Sequence, residues 1–334
     1  MVIENKHKIS VIMSVYNTDE IFLRESIESI LKQTYKNFEF LIFDDASTDD
    51  GIGEIISEYK SRDDRIIFIR NESNIGLTKT LNKGILLAKG DFIARIDSDD
   101  YSLPTRFQEQ IDYLLKNDEI SAVATAYYIL KNGELKKHKN FITNSKKIAA
   151  SLFFDNSYIQ HSSIMLKTGF LRNNNLLYNE EIKKSQDYDF WVRITRKGNI
   201  SLIKKYLSVY RVGDHQISIH SKNEQKKYKD EICINQLHEL KINASETEKK
   251  NHLLLCDASE NFNYNEIKNW IKILTAKNRE TALFDRSIFE TLLYYRYARM
   301  VLKKIIKNKE LNNINSYFEI LFSILSIIKI HLSR

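Results

Sequence analysis

The sequence predicts an α/β fold with a mixed, mainly parallel sheet flanked by helices, followed by an all-helical C-terminal region. Two observations favour this class. Apolar, β-branched segments alternate with segments of helical spacing over about the first hundred residues, which is typical of right-handed β-α-β units. Glycine and proline are absent after Gly213, and the pattern from there to the end is helical.

Four strands, connected by helices, are predicted in the first part of the chain. The strands are short runs of Ile, Val, Leu and Phe, and the helices carry apolar residues three and four positions apart. In chain order, the strands are 9–15, 38–43, 66–70 and 92–96, and the helices are 23–32, 52–59 and 77–88. In a parallel sheet of this kind, ligands bind beyond the carboxyl ends of the strands.

The middle of the chain is expected to extend this sheet. The helices are predicted at 106–115, 148–154 and 187–196, the strands at 122–130 and 162–166, and a strand pair or extended segment at 200–211. A turn is expected at Asn132-Gly133. The change to a helical pattern places a domain boundary near residue 222, which gives a sheet domain of 1–221 and a helical region of 222–334.

Composition and charge limit the class of protein. A hydrophobic fraction of 43% in 334 residues is that of a globular protein. The net charge of +7 comes largely from lysines scattered among acids, without an aromatic and basic recognition motif, so we expect no nucleic-acid partner. Two cysteines indicate a reduced, cytoplasmic setting. Neither a signal-peptide core nor a transmembrane span is predicted.

Polar side chains follow three of the predicted strands. Tyr16 and Asn17 come after the first strand, and Asp44 and Asp45 end the second. The acidic run 97–100 follows the fourth. Because the carboxyl ends of parallel strands meet at one edge of a sheet, we expect these clusters to converge on one site.

The acidic run contains Asp97, Asp99 and Asp100 within four residues. Like charges this close are unfavourable unless a cation neutralises them, and a divalent metal with a phosphate ligand does so. The alternative is a turn whose acids cap the helix after Pro104.

Other positions also have a structural and a functional interpretation. The segment 74–76 is a turn with Gly76 at a positive φ, or else it contributes to the site, and Lys83 could approach a phosphate. His161 is a core or loop histidine when taken alone. His215 could bind a metal or a diphosphate.

Asp187 and Trp191 lie four residues apart on a predicted helix and therefore share a face. We expect Trp191 to anchor that helix in the core, which leaves Asp187 in its first turn. There Asp187 either interacts with the helix dipole or acts as a general base held at the edge of a site.

Taken together, these segments resemble a known family. The segments that carry the resemblance are 11–17, 44–49, 74–76, 88–91, 97–100, 104–106, 161–163 and 186–191. In their order and spacing, over roughly residues 8 to 220, the chain resembles the inverting family-2 (GT2) glycosyltransferases of bacterial polysaccharide biosynthesis, whose fold is GT-A, a Rossmann-like arrangement.

The resemblance implies a role for each segment. The nucleotide-sugar pocket, usually specific for uracil, would be formed by Ser14, Tyr16, Asn17, Asp45, Asn74, Gly76, Lys83, Asp97 and Ser98. The cofactor, Mn²⁺ or Mg²⁺, would be bound by Asp99, with Asp100 and His215 as further candidates. The catalytic base would be Asp187, and the acceptor side would be formed by His161, Gln186 and Trp191.

Two positions depart from the family pattern. Gln186 stands where relatives often have glutamate, which removes a charge beside Asp187. Gly213 stands where many relatives have a histidine, and His215 and His220 follow it.

The implied activity is transfer of a sugar from a UDP-sugar to a hydroxyl of a glycan or lipid-linked oligosaccharide, in the synthesis of a capsule, O-antigen or similar surface polysaccharide. A nucleotidyltransferase that makes activated sugars would need a glycine- and basic-rich loop, which 14–17 lacks. A glycan-binding subunit of weak activity is the other alternative.

The segment 311–334 is predicted to form an amphipathic helix with a wide apolar face. It would pack on the other C-terminal helices or on the partner in a homodimer. Alternatively, it would lie on a membrane surface, aided by the upstream lysines. A cytoplasmic protein at the inner face of the membrane is compatible with that second alternative.

Overall fold

The computed structural model describes residues 6–139, 142–156, 158–213 and 222–308. These residues fall into two compact units, one within 1–145 and 157–222 and the other within 146–156 and 223–334. The functional division into 1–221 and 222–334 stays a prediction, since the units describe packing alone.

The first unit contains the sheet. Its elements in chain order are β1 (Ile9–Val15), α1 (Glu20–Leu31), β2 (Phe38–Asp44), α2 (Asp50–Arg62), β3 (Ile66–Arg70), α3 (Leu77–Leu87), β4 (Phe92–Asp97), β5 (Tyr101–Ser102), α4 (Arg106–Lys116), β6 (Ile120–Lys131) and β7 (Glu134–Lys137). After α5, which is described with the second unit, a 3₁₀ turn (His161–Ser163) is followed by β8 (Met165–Lys167), α6 (Thr168–Asn173), α7 (Gln186–Thr195) and β9 (Asn199–Val212).

In the described residues, the strands form one mixed sheet in the order β3-β2-β1-β4-β8-β6-β9-β5, with β7 paired to β6. Strands β1 to β4 pair in parallel, as do β6 and β9. Strand β8 runs antiparallel between β4 and β6. A mixed sheet with flanking helices confirms the predicted α/β class.

Helices cover both faces of the central strands. On one face, Val11 and Phe40 belong to a core that includes Leu23 of α1 and Ile56 of α2. On the other face, Gly84 of α3 lies so close to the strands that an added Cβ would be 2.7 Å from a methyl group of Ile12. Strands buried on both faces are continuous apolar runs rather than alternating ones, which explains the composition of β1 and β2.

Gly90 lies at the tight connection between α3 and β4. A Cβ at this position would be 2.6 Å from both Lys8 O and Ser10 N. The backbone N of Gly90 donates to Ser10 Oγ at 2.8 Å. Glycine is therefore required so that β4 can enter the sheet beside β1.

The second unit is helical, as the C-terminal sequence predicted. Its helices are α5 (Ser145–Ser151), α8 (Lys222–Asn235), α9 (Glu246–Asp257), α10 (Tyr264–Thr281) and α11 (Arg286–Asn308). Its core contains the rings of Phe153, Phe289 and Trp270. No helix within the described ranges is long and apolar enough to cross a membrane. The segment 311–334 lies outside the described residues.

Three predictions for the middle of the chain differ from the observed elements. The predicted strand 162–166 begins with the 3₁₀ turn, and only Met165–Lys167 is extended. The predicted helix 148–154 is Ser145–Ser151. Of the two alternatives for 200–211, the strand pair is wrong and the extended segment is confirmed, since this stretch is one long strand, β9, whose pairing with β6 has a bulge near residues 203–206.

Candidate active site

The loops after β1 and β2 are joined to each other. Asn17 has a φ of 49°, in the left-handed region that Asn tolerates better than most residues. Its backbone N donates to Ser47 Oγ at 3.0 Å, and its side-chain oxygen accepts a hydrogen bond from Thr48 N at 2.9 Å. Two of the predicted polar clusters therefore form one connected edge.

The acidic run after β4 lies beside this edge. In the register of the sheet, Ser14 of β1 is the neighbour of Asp97 in β4. Ser98 Oγ lies 2.6 Å from Thr18 Oγ1 in the loop after β1. Tyr16 is 44% exposed, so its ring is accessible to a ligand. The three predicted clusters thus converge, as the sequence indicated.

Asp45 is buried, and its carboxylate is fully engaged by the segment 71–76. Oδ1 accepts hydrogen bonds from Asn71 Nδ2 at 2.8 Å and from Ile75 N at 3.0 Å. Oδ2 accepts one from Gly76 N at 2.8 Å. Asp45 therefore shapes the loop before α3, and its contact with a nucleotide base stays a prediction.

The remaining predicted residues of this loop differ in exposure. Gly76 has a φ of 88°, as the turn interpretation requires. Asn74 is exposed. Lys83 Nζ donates to Asn71 Oδ1 at 2.9 Å, so Lys83 supports the loop that Asp45 holds. Its approach to a phosphate stays a prediction.

Asp97 and Asp100 share one hydroxyl group. Ser162 Oγ lies 2.6 Å from Asp97 Oδ2 and 2.6 Å from Asp100 Oδ2. Asp100 also accepts hydrogen bonds from Gln160 Nε2 and from Arg211 N. The 3₁₀ turn at 161–163 is therefore attached to the acidic run through its serine.

The two carboxyl groups have opposite pKa shifts. Burial, together with the nearby charges of Asp99 and Asp97, raises the pKa of Asp100 well above its usual value. Burial also acts to raise the pKa of Asp97, but the buried guanidinium of Arg95 more than offsets it, so the pKa of Asp97 is lowered. Burial and neighbouring acids thus favour the neutral form of Asp100, whereas Arg95 favours the ionised form of Asp97.

The acidic run suits a metal ion that is held only partly by protein. In the described residues, no group of three or more His, Cys, Asp or Glu side chains could hold a metal ion by itself. Mg²⁺ is usually bound by one or two carboxylates plus substrate phosphates. Asp99 is partly exposed at the end of β4, whereas both oxygens of Asp100 are engaged by protein donors. His215 lies outside the described residues.

Asp187 lies in the first turn of α7, as predicted. The residue before the helix, Ser185, has a φ of 58°, which turns the chain sharply into it. Phe190 and Trp191 are fully buried and fix the helix in the core. Gln186 is partly exposed at its start. Because Trp191 is buried, it can affect an acceptor only through the residues that it contacts. Its predicted role on the acceptor side stays a prediction.

His161 and Tyr178 form a hydrogen-bonded pair near both acidic positions. His161 Nε2 lies 2.8 Å from the Tyr178 hydroxyl. Burial raises the pKa of Tyr178, and the charges of Asp187 and Asp97 act in the same direction, against the opposing charges of Arg95 and Arg193. Burial, aided by Arg95, lowers the pKa of His161 to about 3, against the opposing charge of Asp97. Asp97 therefore acts on both members of this uncharged pair, and Asp187 acts on Tyr178.

Arg95, Ser162 and Tyr178 are site residues that were not predicted from the sequence. Arg95 could have been recognised, because an arginine inside an apolar strand, two residues before Asp97, shares a face with it. Ser162 belongs to the motif 161–163 but gives no separate signal. Tyr178 lies in an irregular segment without periodicity, so only the folded chain reveals it.

The fold agrees with the comparison to known proteins. The sequence profile described as "Glycosyl transferase family 2" matches residues 10–175. An uncharacterized glycosyltransferase of Methanocaldococcus jannaschii is 37% identical over 226 residues, which are 67% of this chain and 77% of that protein. The protein is a glycosyltransferase with a GT-A fold. The chain belongs to glycosyl transferase family 2, which confirms the resemblance and rejects the nucleotidyltransferase alternative.

Other relatives have more specific names. The protein WfaP of Escherichia coli, named UDP-Glc:alpha-D-GlcNAc-diphosphoundecaprenol beta-1,3-glucosyltransferase, is 31% identical over 60% of this chain and 77% of its own length. WbnJ of E. coli, an O-antigen biosynthesis glycosyltransferase, is 35% identical over 56% of this chain and 71% of its own. The structure of S. aureus TarS 1–349 in complex with UDP-GlcNAc covers 90% of this chain and 92% of that one, with a TM-score of 0.60 at 20% identity. This last likeness supports the fold.

Proposed function

We propose that the protein is an inverting glycosyltransferase that moves a sugar from a UDP-sugar to a hydroxyl of a glycan or lipid-linked oligosaccharide during surface polysaccharide biosynthesis. The observation that carries this proposal is that Ser162 joins the acidic run to the turn of His161, and that the His161 ring is bonded to Tyr178, which stacks on α7, the helix of Asp187. A donor side and a proton-accepting side within reach of one another are what a single displacement requires. The names of WfaP and WbnJ support the substrate class.

On the donor side, Ser14, Tyr16 and the loop held by Asp45 would bind the nucleotide. Asp97 would lie near the ribose while its charge is balanced by Arg95. Asp99 would hold Mn²⁺ or Mg²⁺, and Asp100 would support the run from its buried position. When bound, such an ion stabilises the negative charge that develops on the leaving diphosphate.

On the acceptor side, Asp187 would take the proton of the attacking hydroxyl. A sugar hydroxyl is a weak nucleophile until a base removes its proton. The oxygen then attacks the anomeric carbon from the face opposite the diphosphate, and the configuration inverts. His161 and Gln186 would contact the acceptor, with Trp191 behind the His161 ring at 5.9 Å between centroids.

A lipid-linked acceptor would place the protein at the inner face of a membrane. One face of α11 supports this location, because Tyr295, Leu302 and Ile306 are exposed on it beside the exposed cations Arg299 and Lys303. Apolar and basic residues on one helix face are typical of an interfacial helix. Deletion of 311–334 combined with Leu302→Ser and Ile306→Ser should reduce sedimentation with anionic vesicles, whereas unchanged sedimentation and a loss of dimer would favour the homodimer.

The test of the proposal is release of UDP and the stereochemistry of the product. The protein is incubated with several UDP-sugars, Mn²⁺ and a diphospholipid-linked GlcNAc acceptor. We expect acceptor-dependent UDP release with one donor and a product of inverted anomeric configuration by NMR. Asp64→Asn, at an exposed acid remote from the acidic run, is the control and should be fully active. A product of retained configuration would refute the mechanism, and no release with any donor would favour a glycan-binding subunit.

A further inference from the structure

The Tyr178 hydroxyl has one hydrogen-bond partner in the described residues, His161 Nε2 at 2.8 Å. Tyr178 is 5% exposed. A buried hydroxyl that does not donate its proton loses a hydrogen bond at a cost of about 1–3 kcal/mol. The direction of this one hydrogen bond therefore matters, because it decides which nitrogen of His161 carries the proton.

Only one direction satisfies both groups. If Nε2 carried the proton and donated to Tyr178, the hydroxyl proton of Tyr178 would have no acceptor among the described residues. If the hydroxyl donates to Nε2, the proton of His161 resides on Nδ1. That nitrogen has no partner in the described part of the chain, and it is not among the buried polar atoms left unpaired there. Among the described residues, Nδ1 is therefore accessible to solvent on the partly exposed ring.

The surroundings hold the pair in place. The Tyr178 ring stacks on Phe190 with 4.1 Å between centroids. The Asn82 side chain of α3 binds both backbone groups of Tyr178, accepting from its N at 2.8 Å and donating to its O at 3.0 Å. Tyr178 is thus fixed between α3, which follows the loop held by Asp45, and α7, which carries Asp187.

The charged groups that act on the His161 ring are Arg95 and Asp97. Burial and Arg95 lower its pKa and outweigh the opposing charge of Asp97, so the ring is uncharged at neutral pH. An uncharged imidazole has one donor and one acceptor nitrogen, and the neighbouring hydroxyl selects between them. The ring is therefore not a second base beside Asp187.

We propose that Tyr178 is a positioning residue that holds His161 as the tautomer protonated on Nδ1, so that His161 donates a hydrogen bond to an oxygen of the acceptor saccharide. This inference rests on the proposed function for the identity of the ligand. A carboxylate such as that of Asp187 accepts hydrogen bonds but has none to donate when it is ionised. A donor on His161, whose ring packs on Trp191 of the same helix as Asp187, would supply the other partner that a saccharide hydroxyl needs for a defined orientation.

The tautomer can be measured without any substrate. The full chain is labelled with ¹⁵N-histidine, and the two-bond nitrogen–proton correlations are recorded between about pH 5.5 and pH 8.5. His161→Gln assigns the signal among the eight histidines. We expect the pattern of a neutral ring protonated on Nδ1 over the whole range. A ring protonated on Nε2 in the wild-type protein would overturn the proposal.

Tyr178→Phe removes the hydroxyl and keeps the ring that stacks on Phe190. In this variant we expect a mixture of tautomers or the Nε2-protonated form. Tyr59→Phe, at another buried tyrosine whose hydroxyl bonds Glu28 at 2.9 Å, is the matched control and should leave the His161 signal unchanged. An unaltered Nδ1-protonated signal in Tyr178→Phe would show that Tyr178 does not set the tautomer.

Kinetics separate positioning from a structural role. Loss of one oriented hydrogen bond should raise the KM for the acceptor about tenfold in Tyr178→Phe, with the KM for the UDP-sugar unchanged. A tautomer change without any change in the acceptor KM would overturn the acceptor contact. The nuclear magnetic resonance result stands even if no UDP-sugar is a substrate, so failure of the proposed function is distinguishable from failure of this inference.

Discussion

Arg95 donates a hydrogen bond to Asp97, two residues further along β4, and its guanidinium is almost completely buried. Strand geometry places both side chains on one face of the sheet. In the described residues, Arg95 has no other ion pair, and its Nε and Nη1 atoms have no hydrogen-bond partner. Asp97 therefore provides the negative charge that allows the guanidinium of Arg95 to be buried beneath the site.

Asp97→Asn should destabilise the protein strongly. It would leave Arg95 as a buried charge without a counter-charge, and such changes cost about 3 kcal/mol or more. Urea unfolding measures the loss. The double variant Arg95→Met/Asp97→Asn should lose less than the sum of the two single variants, because it removes both charges. Additive losses would mean that the two residues are not coupled.

Acidification should destabilise the sheet domain through His161. Its pKa in the folded state is lowered to about 3, against about 6.5 in an unfolded chain. The stability it contributes is therefore complete above about pH 6.5 and is lost as the pH falls towards 3. Between about pH 7 and pH 5, the free energy of unfolding should fall by about 2 kcal/mol from this group. His161→Gln should make that dependence shallower, and an unchanged slope would contradict the assignment.

Gly90→Ala should destabilise the fold, because the new Cβ would be 2.6 Å from main-chain atoms of residues 8 and 10. Overpacking of this kind costs about 1–3 kcal/mol. Gly169→Ala in α6 is the matched control, since a Cβ there meets nothing within 4 Å, and it should be neutral or slightly stabilising. The melting temperatures of the two variants are compared. Equal values would contradict the claim that the backbone of residues 8–10 leaves no room for a side chain at position 90.

Removal of divalent metal should abolish acceptor-dependent UDP release. Because the ion would stabilise the leaving diphosphate, we expect a fall of at least about 100-fold with EDTA and recovery with Mn²⁺ or Mg²⁺. Asp99→Asn should raise the metal concentration needed for half-maximal activity. Full activity in EDTA would show that sugar transfer at the acidic run does not require a metal ion.

Local signals carried most of the fold prediction. The strands from 9–15 to 92–96 were predictable because strands buried on both faces are uninterrupted apolar runs, as β2 illustrates. The polar residues after them were predictable because strand ends of a parallel sheet converge. The 3₁₀ turn at His161–Ser163 was not, since Ser162 is held there by Asp97 and Asp100, a contact between distant parts of the chain.

Long-range packing also explains what was missed. The segment 146–156 packs with the helices of the second unit, for example through the ion pair of Asp155 with Arg296. No sequence pattern predicts that Asp155 pairs with a residue 141 positions away. Tyr178 was missed for the same reason, because its position depends on Asn82 and Phe190 rather than on its neighbours in sequence.

The measurement that tests the central claim most directly is the turnover of Asp187→Asn together with its affinity for UDP. If Asp187 is the base, acceptor-dependent UDP release should fall by about 10² to 10⁴, while the Kd for UDP stays at the wild-type value. Asp189→Asn, in the same turn of α7 and paired with Arg193, should remain active. Wild-type turnover in Asp187→Asn would contradict the account.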